Sequence, residues 1–72
     1  MDDRFLRYSL EHGRKIRAVL MLEGAICQKT VQVTALEPDA ALLRFGARRT
    51  PTRVLKADIL SCDYARGDHG ED

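Results

Sequence analysis

After Gly13 the apolar pattern breaks four times, at 23–25, 37–39, 46–52 and 57–58, and these breaks leave only segments of strand length between them. Ile16 to Leu22 is apolar on both faces in its middle, as a central strand requires, and the first strand is predicted over 14–23. Glu23-Gly24 is a turn. Over 26–36, Val31, Val33 and Ala35 alternate with Thr30, Gln32 and Thr34, a half-exposed strand with β-branched residues on both faces. Glu37-Pro38-Asp39 breaks that strand with strong turn chemistry. The same reading predicts a third strand over 41–45, a basic loop from Gly46 to Pro51, a fourth strand over 53–56 and a fifth over 59–64.

Before Gly13 the period is different. Phe5, Leu6, Ser9 and Leu10 share one face at helical spacing, while Asp3–Arg7 and Arg7–Glu11 are i,i+4 pairs on the exposed side. Asp2 or Asp3 can cap the start, because a carboxylate accepts from the first free backbone N–H groups. Gly13 follows His12 and supplies the left-handed conformation of a C-terminal cap. The spacing predicts a helix over 3–12.

A flat sheet of five such short strands would leave too many edges open. The expected fold is therefore mostly β: an N-terminal α-helix followed by a five-stranded, strongly bent antiparallel barrel of the Sm-like or SH3-like kind. Phe5, Leu6 and Leu10 would cap one open end. The 57–58 link is so short that strands four and five must meet at a tight corner.

The 72 residues form one domain over 1–66, and 67–72, without an apolar residue, is read as an acidic flexible tail. With 44% apolar and 32% charged residues the balance is globular. The formal net charge of +1 argues neither for nor against nucleic acid, so only a local patch bears on that question. Cys27 and Cys62 lie in no metal-like spacing and are read as reduced, inert thiols of a cytoplasmic protein. No signal-like apolar run follows Met1-Asp2-Asp3-Arg4, and the longest apolar run, 18–22, is far too short to cross a bilayer.

The sequence offers little to catalysis. His12 and His69 are the only histidines, and Ser9 and Ser61 have no visible triad partners. There is no glycine-rich phosphate loop, and Asp68, His69, Glu71 and Asp72 read as a solvated tail before they read as a chelate. The expected protein is not an enzyme and needs no cofactor or metal. One feature is suggestive. Between Asp39 and Asp58 stand Arg44, Arg48, Arg49, Arg53 and Lys56 with no acidic residue. A hairpin around Arg48-Arg49 would gather most of these on one face, where guanidinium groups bind phosphate bidentately and release counterions. The alternative is a solvated hairpin that keeps a small barrel soluble. Arg14, Lys15 and Arg17 form a smaller basic group at the helix-to-strand junction. Stacking aromatics, the other half of a single-strand binding site, are few, and Phe5 and Phe45 are assigned to the core.

The order of elements resembles the Sm-like small barrels, and from Leu6 to Tyr64 the chain resembles the bacterial WYL domain. The resemblance lies in Glu11-His12-Gly13-Arg14-Lys15-Ile16, then Gln32-Val33-Thr34-Ala35-Leu36, and Ala41-Leu42-Leu43 at the place of the naming motif. It closes on Arg53-Val54-Leu55-Lys56-Ala57-Asp58-Ile59-Leu60. Lys56-Ala57-Asp58-Ile59 is more distantly similar to a segment of the Hfq RNA-chaperone family. The Trp and Tyr of the naming motif are absent here, as is the histidine of the Hfq segment. The resemblance implies a regulatory binding module for RNA, single-stranded DNA or a small anionic ligand. The alternative is a structural or protein-interaction module whose barrel edges assemble into a homo-oligomer or dock on a larger partner, and the resemblance implies the homo-oligomer because Sm-like barrels join strand four to strand five of a neighbour.

Overall fold

The computed structural model describes residues 3–46 and 48–68. Helix α1 covers Arg4–His12, followed by β1 (Ile16–Leu22), β2 (Ala25–Leu36), β3 (Ala40–Phe45), β4 (Thr52–Leu55), a 3-10 turn (Lys56–Asp58) and β5 (Ile59–Tyr64). All strands pair antiparallel in one sheet of order β4-β3-β2-β1-β5. The fold is mostly β, as the turn spacing predicts, and β1 is flanked on both sides. The sheet does not close on itself. Register shifts at Val19/Leu20 and Val33/Ala35 bend it around a single core.

That core comes from one face of each strand. Ile16, Ala18 and Leu20 of β1 lie against Val31 and Val33 of β2, Ala41 and Leu43 of β3, Val54 of β4 and Ile59 of β5. Each is at most a few per cent exposed, so the alternation of side chains across the pleat carries directly into burial. Between β1 and β2, Glu23 (φ 52°) and Gly24 (φ 80°) form a two-residue turn with Leu22 paired to Ala25. Positive φ at both central residues is what a type I′ hairpin turn requires. The 3-10 turn is the expected corner between β4 and β5, and it takes Lys56 out of the fourth strand.

The helix docks chiefly on β2. It ends as expected, with Gly13 left-handed at φ 65° and its N–H bonded to the Ser9 carbonyl. Its buried side differs from the expected one: Leu6, Tyr8 and Ser9 are buried, whereas Leu10 is exposed. Ser9 explains the rotation. Its hydroxyl donates to the Arg14 carbonyl and accepts the Val33 N–H at 2.9 Å, pinning that side of the helix to β2. At the other end Asp3 holds the cap position without a side-chain capping bond, because its carboxylate accepts from Lys56 Nζ at 2.8 Å instead.

Asp68, assigned by sequence to the tail, is half-buried against the helix. The Tyr8 hydroxyl donates to its carboxylate at 2.9–3.0 Å, and Arg14 Nη1 lies 3.4 Å away. Residues 69–72 of that segment, with His69, Glu71 and Asp72, lie outside the described residues. Cys27 and Cys62 are free. They face Leu20 and Ala18 from the two strands flanking β1. Two strand spacings separate their backbones by roughly 10 Å, beyond the span of a disulfide.

Candidate ligand groove at the barrel mouth

The five basic residues singled out in the sequence occupy three places. Arg44 and Arg53 lie on the outward face of β3 and β4, alternating with buried Leu43 and Val54. Arg44 Nη2 donates to Gln32 Oε1 at 2.8 Å, its partner across the β2–β3 ladder. Arg53 meets Glu37 at 3.0 Å and Asp39 at 3.6 Å. Lys56 is turned towards the helix by its bond to Asp3, and this bond holds the Asp3 carboxyl below its ordinary value. Arg48 and Arg49 project from the β3–β4 loop as exposed cations, and neither forms a salt bridge among the described residues.

The expected single basic face is therefore divided. The acidic residues that divide it stand just outside the acid-free stretch, at 37 and 39, or at 3 on the helix. Folding brings them back. A salt-bridged arginine on an open surface contributes little to stability and keeps one side of its guanidinium engaged.

Arg48 has a different setting. Its N–H donates to the Phe45 carbonyl at 3.1 Å, which folds the loop back over the end of β3. There it helps line a groove of about 520 Å³ with Leu22, Glu23, Lys29, Phe45 and Thr52. All but Lys29, which lies within β2, come from a strand end, a turn or the β3–β4 loop. Lys29 stands opposite buried Ala18 in the β1–β2 ladder, so it shares the inward face, but it is exposed because the core stops short of it. Phe45 is half-buried: it packs on the core with one side and faces the groove with the other. Thr52 opens β4 opposite Leu43.

Comparison with known protein families, curated proteins and solved structures finds no match to this chain. The groove has to be read from its own chemistry. It presents two cations, one carboxylate, one hydroxyl and one aromatic surface, and it is of a size that accepts a small molecule or a single nucleotide unit. Arginine can grip a phosphate through two parallel N–H donors, lysine adds a point charge, and a ring beside them gives a planar group something to lie against.

Sequence reasoning found Arg48 and missed the rest of the groove. Lys29 sits in an alternating strand and looks like any solvent-facing residue, and Phe45 looks like core. The bend of the sheet places both beside the groove, and only the register of the paired strands could have revealed it. Among the described residues no cluster of three His, Cys, Asp or Glu side chains is arranged to hold a metal ion. No described helix is long and apolar enough to cross a membrane.

Proposed function

We propose that the protein is a non-enzymatic binding module. In this reading it takes a phosphate-bearing ligand, either single-stranded nucleic acid or a small anionic effector, at the mouth of its barrel. The observation that carries this reading is the meeting of Arg48 and Lys29 with the half-buried Phe45 ring around one groove. Arg49 beside Arg48 extends the cationic rim, and Arg44 on the same hairpin adds a further positive charge along β3. Arg53 and Lys56 serve structure rather than ligand, since each is held by a carboxylate. The resemblance to WYL and Sm-like barrels points the same way.

The test is binding of a fluorescent single-stranded oligonucleotide over a salt series. Each phosphate engaged lowers the slope of log K against log salt by about 0.7. The expected result is salt-dependent binding that the double change Arg48→Glu, Arg49→Glu abolishes, and that Arg53→Gln leaves within about twofold, as for an exposed paired charge. Competition by a mononucleotide at similar occupancy would identify a small effector as the ligand. Binding indifferent to the Arg48 and Arg49 changes, or no binding at low salt, overturns the reading.

A second reading rests on the edges of the sheet. β4 and β5 have no partner on their outer sides among the described residues, and they expose Leu55 (44%) and Leu60 (46%). Such edges accept another strand. A homo-oligomer that pairs β4 of one chain with β5 of the next would cover both leucines and would leave the groove at the mouth open.

A further inference from the structure

A second concavity lies beside the helix, and it shares no residue with the mouth groove. Arg4, Arg7, Tyr8, Glu11 and His12 recur at i, i+3, i+4, i+7 and i+8, so they form one stripe along α1. Together with Tyr64 at the end of β5 this stripe borders a shallow, open groove of about 470 Å³. The floor of the groove is aromatic and braced. The Tyr8 ring lies 5.1 Å from Tyr64, edge-on, and 4.9 Å from His12, and Phe5 supports Tyr64 from behind at 4.9 Å. The Tyr8 hydroxyl is committed to Asp68, which fixes the ring without occupying its groove-lining side. Arg4 and Arg7 stand on the wall as guanidiniums, with Glu11 as the one carboxylate.

We propose that this helix-side groove is a second binding site, for an aromatic base that carries a phosphate. The base lies against Tyr64 and His12, where a flat ring gains from stacking on braced rings. The phosphate takes Arg4 and Arg7, whose spacing of one helical turn lets both forks reach one anion. Glu11 accepts from an exocyclic amino group. A net positive wall and an aromatic floor suit a purine nucleotide better than an inorganic anion, which would find no use for the rings. The site stands on residues other than those of the mouth groove, so either site can fail without the other.

The experiment is titration of adenosine monophosphate into the full isotope-labelled chain, followed by NMR, with inorganic phosphate and adenosine as separate probes. The expected result is saturable shifts at Arg4, Arg7, His12 and Tyr64, larger for the nucleotide than for either fragment. The double change Arg4→Gln, Arg7→Gln should weaken this binding about tenfold or more, two charge-assisted contacts being lost, while Arg48→Glu, Arg49→Glu leaves it unchanged. Both arginines are exposed, but the Arg4 guanidinium also lies 4.9 Å over the Phe5 ring, so an unchanged thermal melt is the control for the double variant, and Tyr64→Phe, which retains the ring, should bind as the parent does. Shifts confined to Lys29, Phe45 and Arg48 would overturn the second site and leave the first standing. Equal shifts with inorganic phosphate alone would overturn recognition of the base. No saturable shift at the helix with any probe overturns the proposal as a whole.

Discussion

Ser9 uses one hydroxyl to satisfy two backbone groups on different elements, and the fold turns on it. Its oxygen accepts the buried Val33 N–H and its proton goes to the Arg14 carbonyl. Ser9→Ala strips both partners at a fully buried position, and an unsatisfied buried group costs about 1–3 kcal/mol. Urea unfolding should show a loss in that range, with Ser9→Thr losing less because the hydroxyl remains. Cys62 makes a pH-dependent contribution of the opposite chemical kind. Burial pushes its thiol up to about 11 from 9.0. The unfolded thiol ionises first, so the folded state is favoured fully below pH 9 and loses this advantage as pH rises through about 11. Stability measured from pH 8 to 11 should therefore fall less steeply in Cys62→Ala than in the parent, once each is referred to its own value at pH 8. Local chemistry of this sort is partly legible in the sequence. Gly13 is the left-handed cap that its position predicts, while the pair of hydrogen bonds made by Ser9 depends on Val33, 24 positions away. Separations of 53 and 16 positions likewise hide Lys56–Asp3 and Arg53–Glu37, because no periodicity links residues on separate elements.

Among the elements, the turns are the most faithful to the sequence. Glu23-Gly24, Glu37-Pro38-Asp39 and the 57–58 link all fall between strands where turn chemistry put them, and strand ends differ from expectation by no more than two residues. A turn is chosen by two or three residues and their φ preferences, which need no tertiary partner. Gly24 is the sharpest case. At φ 80° a β-branched side chain clashes with its own backbone although the space around it is open, so Gly24→Val should cost about 1–2 kcal/mol. Thermal unfolding measures this loss, and Gly24→Asn should recover much of it, since asparagine tolerates that conformation. The helix is the element least faithfully read. Phe5, Leu6, Ser9 and Leu10 gave the period correctly, but the choice between Leu10 and Tyr8 as the inward residue is made by where Ser9 meets β2 and by the Asp68 carboxylate waiting for the Tyr8 hydroxyl. A helical wheel contains neither fact.

At the scale of the whole molecule, the sheet leaves the outer edges of β4 and β5 open among the described residues and has a groove at its mouth, and each makes its own demand on solution behaviour. If β4 and β5 join neighbouring chains, light scattering should report a mass well above 8.1 kDa, and Leu55→Lys with Leu60→Lys should return it to the monomer. A monomer in the parent protein would remove that reading, and the ratio of absorbance at 260 and 280 nm in the same peak would show whether nucleic acid accompanies it. The mostly β architecture was legible because turn chemistry cuts the chain into strand-length pieces, whereas the closure expected to cover their edges does not occur: β4 and β5 stay unpaired on their outer sides among the described residues. The mouth groove was not legible, because it joins the β1–β2 turn, Lys29 within β2, the end of β3 and the start of β4, which meet only through the pairing and bend of the sheet.

The contact between Tyr8 and Asp68 spans 60 positions and has a mechanical consequence. It clasps the middle of the helix to the segment that follows β5, so a force pulling those two segments apart would load this one hydrogen-bonded hinge-pin before it reached the strand ladders.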